Sequence, residues 1–212
     1  MDTVYNTHID KEPDFSIHEY EYMHYFNDKI YHATVDSDLT SKTLEIANEC
    51  VHDCKSNLAG DLEKETLLFS KTVDKIKGVD YLGDLMPNII NMLASHLQKI
   101  TSYSVTEIDL QNMWANYQSP GDFNPLHDHQ GHFSFVWYLD IPEEIRTEHL
   151  NVDNNTPVRG LIQFVSNISN EHITFNPKTN DILIFRSNHL HQVYPFYSQN
   201  TRISISGNIF VN

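Results

Sequence analysis

Residues 133–141 read F-S-F-V-W-Y-L-D-I. Phe133, Phe135, Trp137, Leu139 and Ile141 alternate there with Ser134, Val136, Tyr138 and Asp140. Successive side chains of a strand point to opposite faces, so the segment predicts a strand with one apolar face and one mixed face. Residues 202–209 repeat the pattern, with Ile203, Ile205 and Ile209 on one face and Arg202, Ser204, Ser206 and Asn208 on the other. A polar row on so late a strand either meets solvent or lines a polar cavity. That choice decides the function.

Outward from these two segments, strand-length stretches fall at 108–117, 160–165, 172–175 and 181–186, with turn chemistry between them in S-P-G-D, N-P-K-T-N-D and S-N-H. Upstream the period changes. Leu44, Ala47, Val51, Cys54 and Leu58 form one stripe, which predicts an amphipathic helix over 38–58 with Gly60 as its stop. Leu85, Ile89, Leu93 and Leu97 predict a second helix over 84–100, with Asp84 as cap and Pro87 in the tolerated first turn. Residues 14–35 are rich in Tyr, Phe and His but show no clean period. The expected fold is mainly β with α, one domain over 1–212. A helical lead with supporting strands at 1–102 packs on one sheet of a β-sandwich or barrel at 103–212. The polar stretch 143–158 is expected as a mobile loop between two strands, a candidate lid.

Composition narrows the function. The 212 residues include 14 Lys plus Arg against 29 Asp plus Glu, a formal net charge of −15, which argues against a nucleic-acid partner. No apolar run is long enough to span a bilayer, and the acidic start M-D-T-V-Y-N-T-H-I-D-K-E is unlike a signal peptide, so a cytoplasmic protein is expected. Two cysteines make no disulfide scaffold. Cys50 and Cys54 lie one helical turn apart with His52 projecting away, and without a second ligand cluster they are no zinc site.

The 13 histidines invite a metal reading, and their spacing directs it. His127, His129 and His132 lie in N-P-L-H-D-H-Q-G-H, and His189 and His191 in S-N-H-L-H-Q-V-Y-P. On a strand His127 and His129 share a face and Asp128 points away, so both imidazoles reach one metal unless a bulge turns Asp128 inward. A third histidine from a strand some sixty residues later completes the set, His191 being favoured over His189. Open positions then remain, as in mononuclear non-haem iron oxygenases. Arg202 with Ser204 two positions on is a carboxylate receptor.

Taken in order, W-A-N-Y, P-G-D-F-N-P-L-H-D-H, F-V-W-Y-L-D-I-P, G-L-I-Q-F, D-I-L-I-F-R-S-N-H-L-H-Q-V-Y-P and R-I-S-I-S-G-N resemble a 2-oxoglutarate- and Fe(II)-dependent oxygenase over roughly residues 108–210. The chain most resembles a small hydroxylase group of marine bacteria and their tailed phages, related to prolyl hydroxylases. The resemblance implies a double-stranded β-helix (jelly roll, cupin-like), with Fe(II) on His127, His129 and His191 and 2-oxoglutarate on Arg202 and Ser204. Where the wider superfamily has a carboxylate ligand, this chain has His129. Either Tyr117 or Asn116, which sit on opposite faces of one strand, is expected at the co-substrate, together with Tyr138. Asn124 and His132 are candidates for the substrate side. The activity implied is hydroxylation of a C–H bond in a peptidyl, for instance prolyl, or small-molecule substrate. Dioxygen is consumed, and ascorbate is a candidate reductant. Two rivals share the residues: a three-histidine cupin-type dioxygenase without 2-oxoglutarate, and a non-catalytic β-helix binding or structural module.

Overall fold

The structure, a computed structural model, describes residues 20–25, 28–55, 58–71, 79–100, 105, 107–151, 157–166 and 171–211. In chain order its elements are β1 (Tyr20–Tyr25), β2 (Asp28–Thr34), α1 (Ser37–Glu49), β3 (Lys64–Ser70), β4 (Val79–Asp80), α2 (Met86–Ile100), β5 (Ile108–Gln118), β6 (Asn124–His127) and β7 (Phe133–Asp140). They continue with α3 (Glu143–Glu148), β8 (Ile162–Val165), β9 (His172–Phe175), β10 (Asp181–Arg186), β11 (Leu190–Val193) and β12 (Arg202–Val211). The strands form an eight-stranded sheet in the order β1-β2-β10-β7-β12-β5-β3-β4 and a four-stranded sheet in the order β6-β11-β8-β9. The described pairings are all antiparallel. Two sheets face to face with helices outside the larger one make a double-stranded β-helix with helical support.

The alternation at 133–141 sorts two cores. Phe133, Phe135, Trp137 and Leu139 join Ile89, Leu93 and Leu97 of α2 on the helix side of the large sheet. Val136 and Tyr138 face the other way, packing with Ile162, Phe164 and Phe185 between the sheets. Ile141 lies past the end of β7 and joins this inter-sheet core rather than the helix side. The pairing of β12 with β7 shifts register between Ile203 and Ser204 near that end, so strict alternation is broken there.

Helix α2 begins at Met86 with Pro87 in its first turn, as expected, but the carboxylate that tethers its lead-in is Asp80, which accepts from the Leu82 and Gly83 amides. Helix α1 is capped by Asp36, whose side chain accepts from the Asp38 and Leu39 amides. It ends at Glu49, nine residues short of the predicted 38–58. Residues 52–54 leave the helix to bond the edge of β3: the Leu67 amide donates to the His52 carbonyl and the Cys54 amide to that of Glu65. This tertiary pairing outweighs the local helical stripe, and Val51 is left 83% exposed.

The 14–35 stretch contributes β1 and β2; residues 14–19, 26 and 27 lie outside the described residues. The polar stretch 143–158 opens as α3, not as a loop. Glu148 ties it down by accepting from the amides of Tyr197 and Ser198 and pairing with Arg159. Residues 152–156 lie outside the described residues. Among the described residues no helix is long and apolar enough to cross a membrane.

Candidate functional site

Strands β6 and β11 pair so that His127 lies directly opposite His191. His129 follows two residues after β6, held by its amide donating to the Ser187 carbonyl at 2.8 Å. The ligand-capable nitrogens of these three histidines lie within 4.8 Å of one another. Asp128 is exposed and is not in the cluster. His189 is buried too, but its ring packs against Phe164 and it stays outside the cluster.

Backbone carbonyls orient two of the rings. Nδ1 of His127 is 2.6 Å from the Pro125 carbonyl, and Nδ1 of His191 is 2.9 Å from that of His189. A carbonyl can only accept, so each Nδ1 carries a proton and Nε2 is the nitrogen left to meet a metal. This is the outer-shell arrangement that fixes metal-binding imidazoles. Burial, with His127 adding repulsion, pulls His129 down to about 4. Burial and both neighbouring imidazoles hold His191 well below the ordinary histidine range. The His129 and His191 rings are therefore neutral, as a metal requires of its donors.

A cavity of about 330 Å³ opens between the sheets beside the cluster. Its floor is the polar face read from 202–209, where Arg202, Ser204, Ser206 and Asn208 all line it. Arg202 is 2% exposed. It donates to the Gly160 carbonyl and to Gln118 Oε1, and no carboxylate pairs with it among the described residues. Tyr138 lines the same wall, its ring 5.9 Å from the guanidinium carbon and its hydroxyl without a partner. Burial pushes that phenol's pKa up, so it stays an O–H donor. An unpaired buried guanidinium beside an unpartnered hydroxyl fits an anionic ligand, since a buried charge left unpaired costs several kcal/mol.

Register separates Asn116 from Tyr117. Asn116 lines the cavity and hydrogen-bonds Ser206, whereas Tyr117 turns to the helix side and its hydroxyl donates to the Ala47 carbonyl of α1. The expectation that left Tyr117 open as a co-substrate contact is thereby corrected: it anchors a helix. His132 is corrected as well. Its Nδ1 accepts from the Val211 amide at 3.1 Å and its ring meets Phe210 edge-on, so it fastens the end of β12 and does not line the cavity. Asn124 does line it.

The sequence reading missed Glu65. It stands on β3 opposite Asn116, is 1% exposed and lines the cavity with neither carboxylate oxygen partnered. Burial, opposed by Lys55 and helped by Asp53 and Asp122, pushes its carboxyl up to about 7. In K-E-T-L-L-F-S alternation puts Glu65 with Leu67 on one face of a short apolar run, but only the pairing of β3 with β5 brings that face to the cavity.

Residues 112–208 match a family model described as "Putative 2OG-Fe(II) oxygenase". No curated protein sequence matches the chain. Among solved structures, an oxidoreductase of the 2OG-Fe(II) oxygenase family from Burkholderia pseudomallei aligns with TM-score 0.59 at 11% identity, covering 82% of this chain and 79% of the other. HygX from Streptomyces hygroscopicus, solved with nickel and 2-oxoglutarate bound, aligns with TM-score 0.57 at 7% identity over 85% of this chain and 82% of its own. A prolyl-4-hydroxylase from Pseudomonas putida aligns with TM-score 0.54 at 12% identity over 84% and 90%. At these identities the likeness establishes the fold.

Proposed function

We propose, from the match of residues 112–208 to the 2OG-Fe(II) oxygenase family model and from the histidine cluster, a hydroxylase dependent on Fe(II) and 2-oxoglutarate with His127, His129 and His191 as iron ligands. Its substrate is a peptide, prolyl residues included, or a small molecule. Iron and 2-oxoglutarate, when bound, supply the oxidising power that turns a C–H bond into C–OH with dioxygen, releasing succinate and carbon dioxide.

The chain's own residues bind, orient and exclude water. His127 and His191 present Nε2 because their Nδ1 protons are committed to the Pro125 and His189 carbonyls. Arg202 has two of its five N–H donors engaged and offers the rest, with Ser204 and the Tyr138 hydroxyl, to the far carboxylate of 2-oxoglutarate. Asn116, anchored on Ser206 with its Oδ1 accepting from Trp114 Nε1 at 3.1 Å, braces the adjacent wall. Val136, Ile162 and Phe185 supply apolar lining that keeps the cavity dry enough for these contacts to be strong.

The observation that carries this reading is the buried Arg202 facing the histidine-lined cavity with no carboxylate paired to it among the described residues. An oxygenase using the histidines without a keto-acid would leave that charge uncompensated. The ligand assignment is tested by anaerobic loading with Fe(II) and measurement of iron per chain. His127→Ala and His191→Ala are each expected to lose iron uptake, whereas Asp128→Ala keeps it. Iron lost from Asp128→Ala and retained by His129→Ala would overturn the three-histidine set.

A further inference from the structure

Glu65 is a buried acid in the cavity that neither the iron ligands nor the Arg202 pocket uses. The sheet register fixes where it stands. Glu65 pairs with Asn116, Asn116 with Ser204, and Ser204 with Tyr138, so the four form one row across β3, β5, β12 and β7. Neighbouring strands lie roughly 4.8 Å apart, so Glu65 is about 10 Å from Ser204 and farther from Tyr138. The carboxylate is thus at the opposite end of the row from the 2-oxoglutarate pocket, on the side left for substrate.

Its surroundings describe a ligand. Leu58, Leu62 and Trp114 line the cavity beside it, giving apolar walls, and Asn116 and Asn124 contribute amides. The charged groups whose fields reach it are Lys55, Asp53 and Asp122. Lys55 is exposed and makes no ion pair with it, so among the described residues no cation pairs with this carboxylate. Two buried carboxylate oxygens left without donors match a cation with several N–H groups, and apolar walls match the stem that carries it.

We propose that Glu65 is the substrate-recognition carboxylate, receiving an ammonium or guanidinium head on an aliphatic stem, borne by a small amine or by a lysyl or arginyl side chain of a peptide. The inference rests on the hydroxylase reading for the identity of the ligand as substrate. The net charge of −15 draws such cations toward the molecule.

The test uses the full chain with Zn(II), which cannot turn over, and saturating 2-oxoglutarate. Calorimetry follows binding of n-butylammonium, n-butylguanidinium, n-butanol and Nα-acetyl-lysine N-methylamide. The cations are expected to bind at least about tenfold more tightly than n-butanol, and Glu65→Gln is expected to erase that preference while 2-oxoglutarate affinity is unchanged. Tighter binding of the lysyl amide than of n-butylammonium assigns a peptide source, and the reverse order a free amine. Equal binding of n-butanol and the cations, no binding of either cation, or a preference intact in Glu65→Gln would overturn the proposal. The contrast in the unsubstituted protein decides even if the variant fails to fold. Absence of 2-oxoglutarate binding in these samples would instead defeat the hydroxylase reading, and the cation preference is then read on the metal-free chain.

Discussion

At Arg202 a full positive charge is buried, whereas at His129 and His191 burial is met by keeping the ring neutral. The difference follows from chemistry, because a guanidinium cannot give up its proton in a protein and an imidazole can. His96 of α2 takes the same course away from the site. It is 0% exposed, its Nδ1 is 2.9 Å from the Tyr31 hydroxyl, and burial, with Lys99 adding, brings its pKa to about 3. The unfolded chain accepts a proton on this ring near pH 6.5 while the folded chain refuses it until about 3, so stability present above 6.5 is lost as the pH falls through that window. One such ring sets a limiting slope of about 1.4 kcal/mol per pH unit. His96→Gln keeps a partner for Tyr31 and removes the titration. Urea midpoints followed from pH 6.5 down to pH 4 should fall less steeply in the variant, with His129 and His191 leaving a residual slope. Equal slopes in both proteins would refute the assignment. Glu65 acts in the opposite sense, since its raised carboxyl takes stability away as the pH climbs from 4.5 to about 7.

Between the elements, the central strand β12 sets the tolerances. It pairs with β5 on one side and β7 on the other and carries the polar floor of the cavity on one face. On its other face a Cβ at Gly207 would meet the Asn112 carbonyl and the Phe135 ring, each at 2.7 Å. One of those neighbours is backbone, so the strain cannot be relieved by a rotamer change. Gly207→Ala is expected to lose roughly 2 kcal/mol from such overpacking. Thermal or urea denaturation checks this, and an unchanged midpoint would show that β12 has slack. Legibility from sequence followed the same elements. β7 and β12 were readable by alternation, since one face meets helices and the other a second sheet, and β5 and β10 as strand-length stretches bounded by turn residues. β3, β6 and β11 are short or interrupted, and α1 stops early because β3 captures residues 52–54. Alternation told that Asn116 and Tyr117 part company, but only the register of β5 against β3 and β12 tells which one faces the cavity.

In the whole molecule, one sheet face carries a polarity from Tyr138 and Arg202 at one end to Glu65 at the other, with the three histidines across the cavity. Of the site, the histidine spacing and the Arg202–Ser204 pair were legible from local sequence because each lies on a single strand or turn. Glu65 was not, since it reaches the cavity only through pairing of strands about fifty residues apart. The central claim is that these parts form one centre for iron and 2-oxoglutarate. It is tested most directly by anaerobic addition of 2-oxoglutarate to the Fe(II)-loaded chain, monitored by visible absorption. A charge-transfer band saturating at one equivalent is expected. With Arg202→Ala the band should need on the order of a hundredfold more 2-oxoglutarate, as for loss of a buried charged contact, with iron content unchanged. No band in the unsubstituted protein, or equal affinity in Arg202→Ala, would contradict the account.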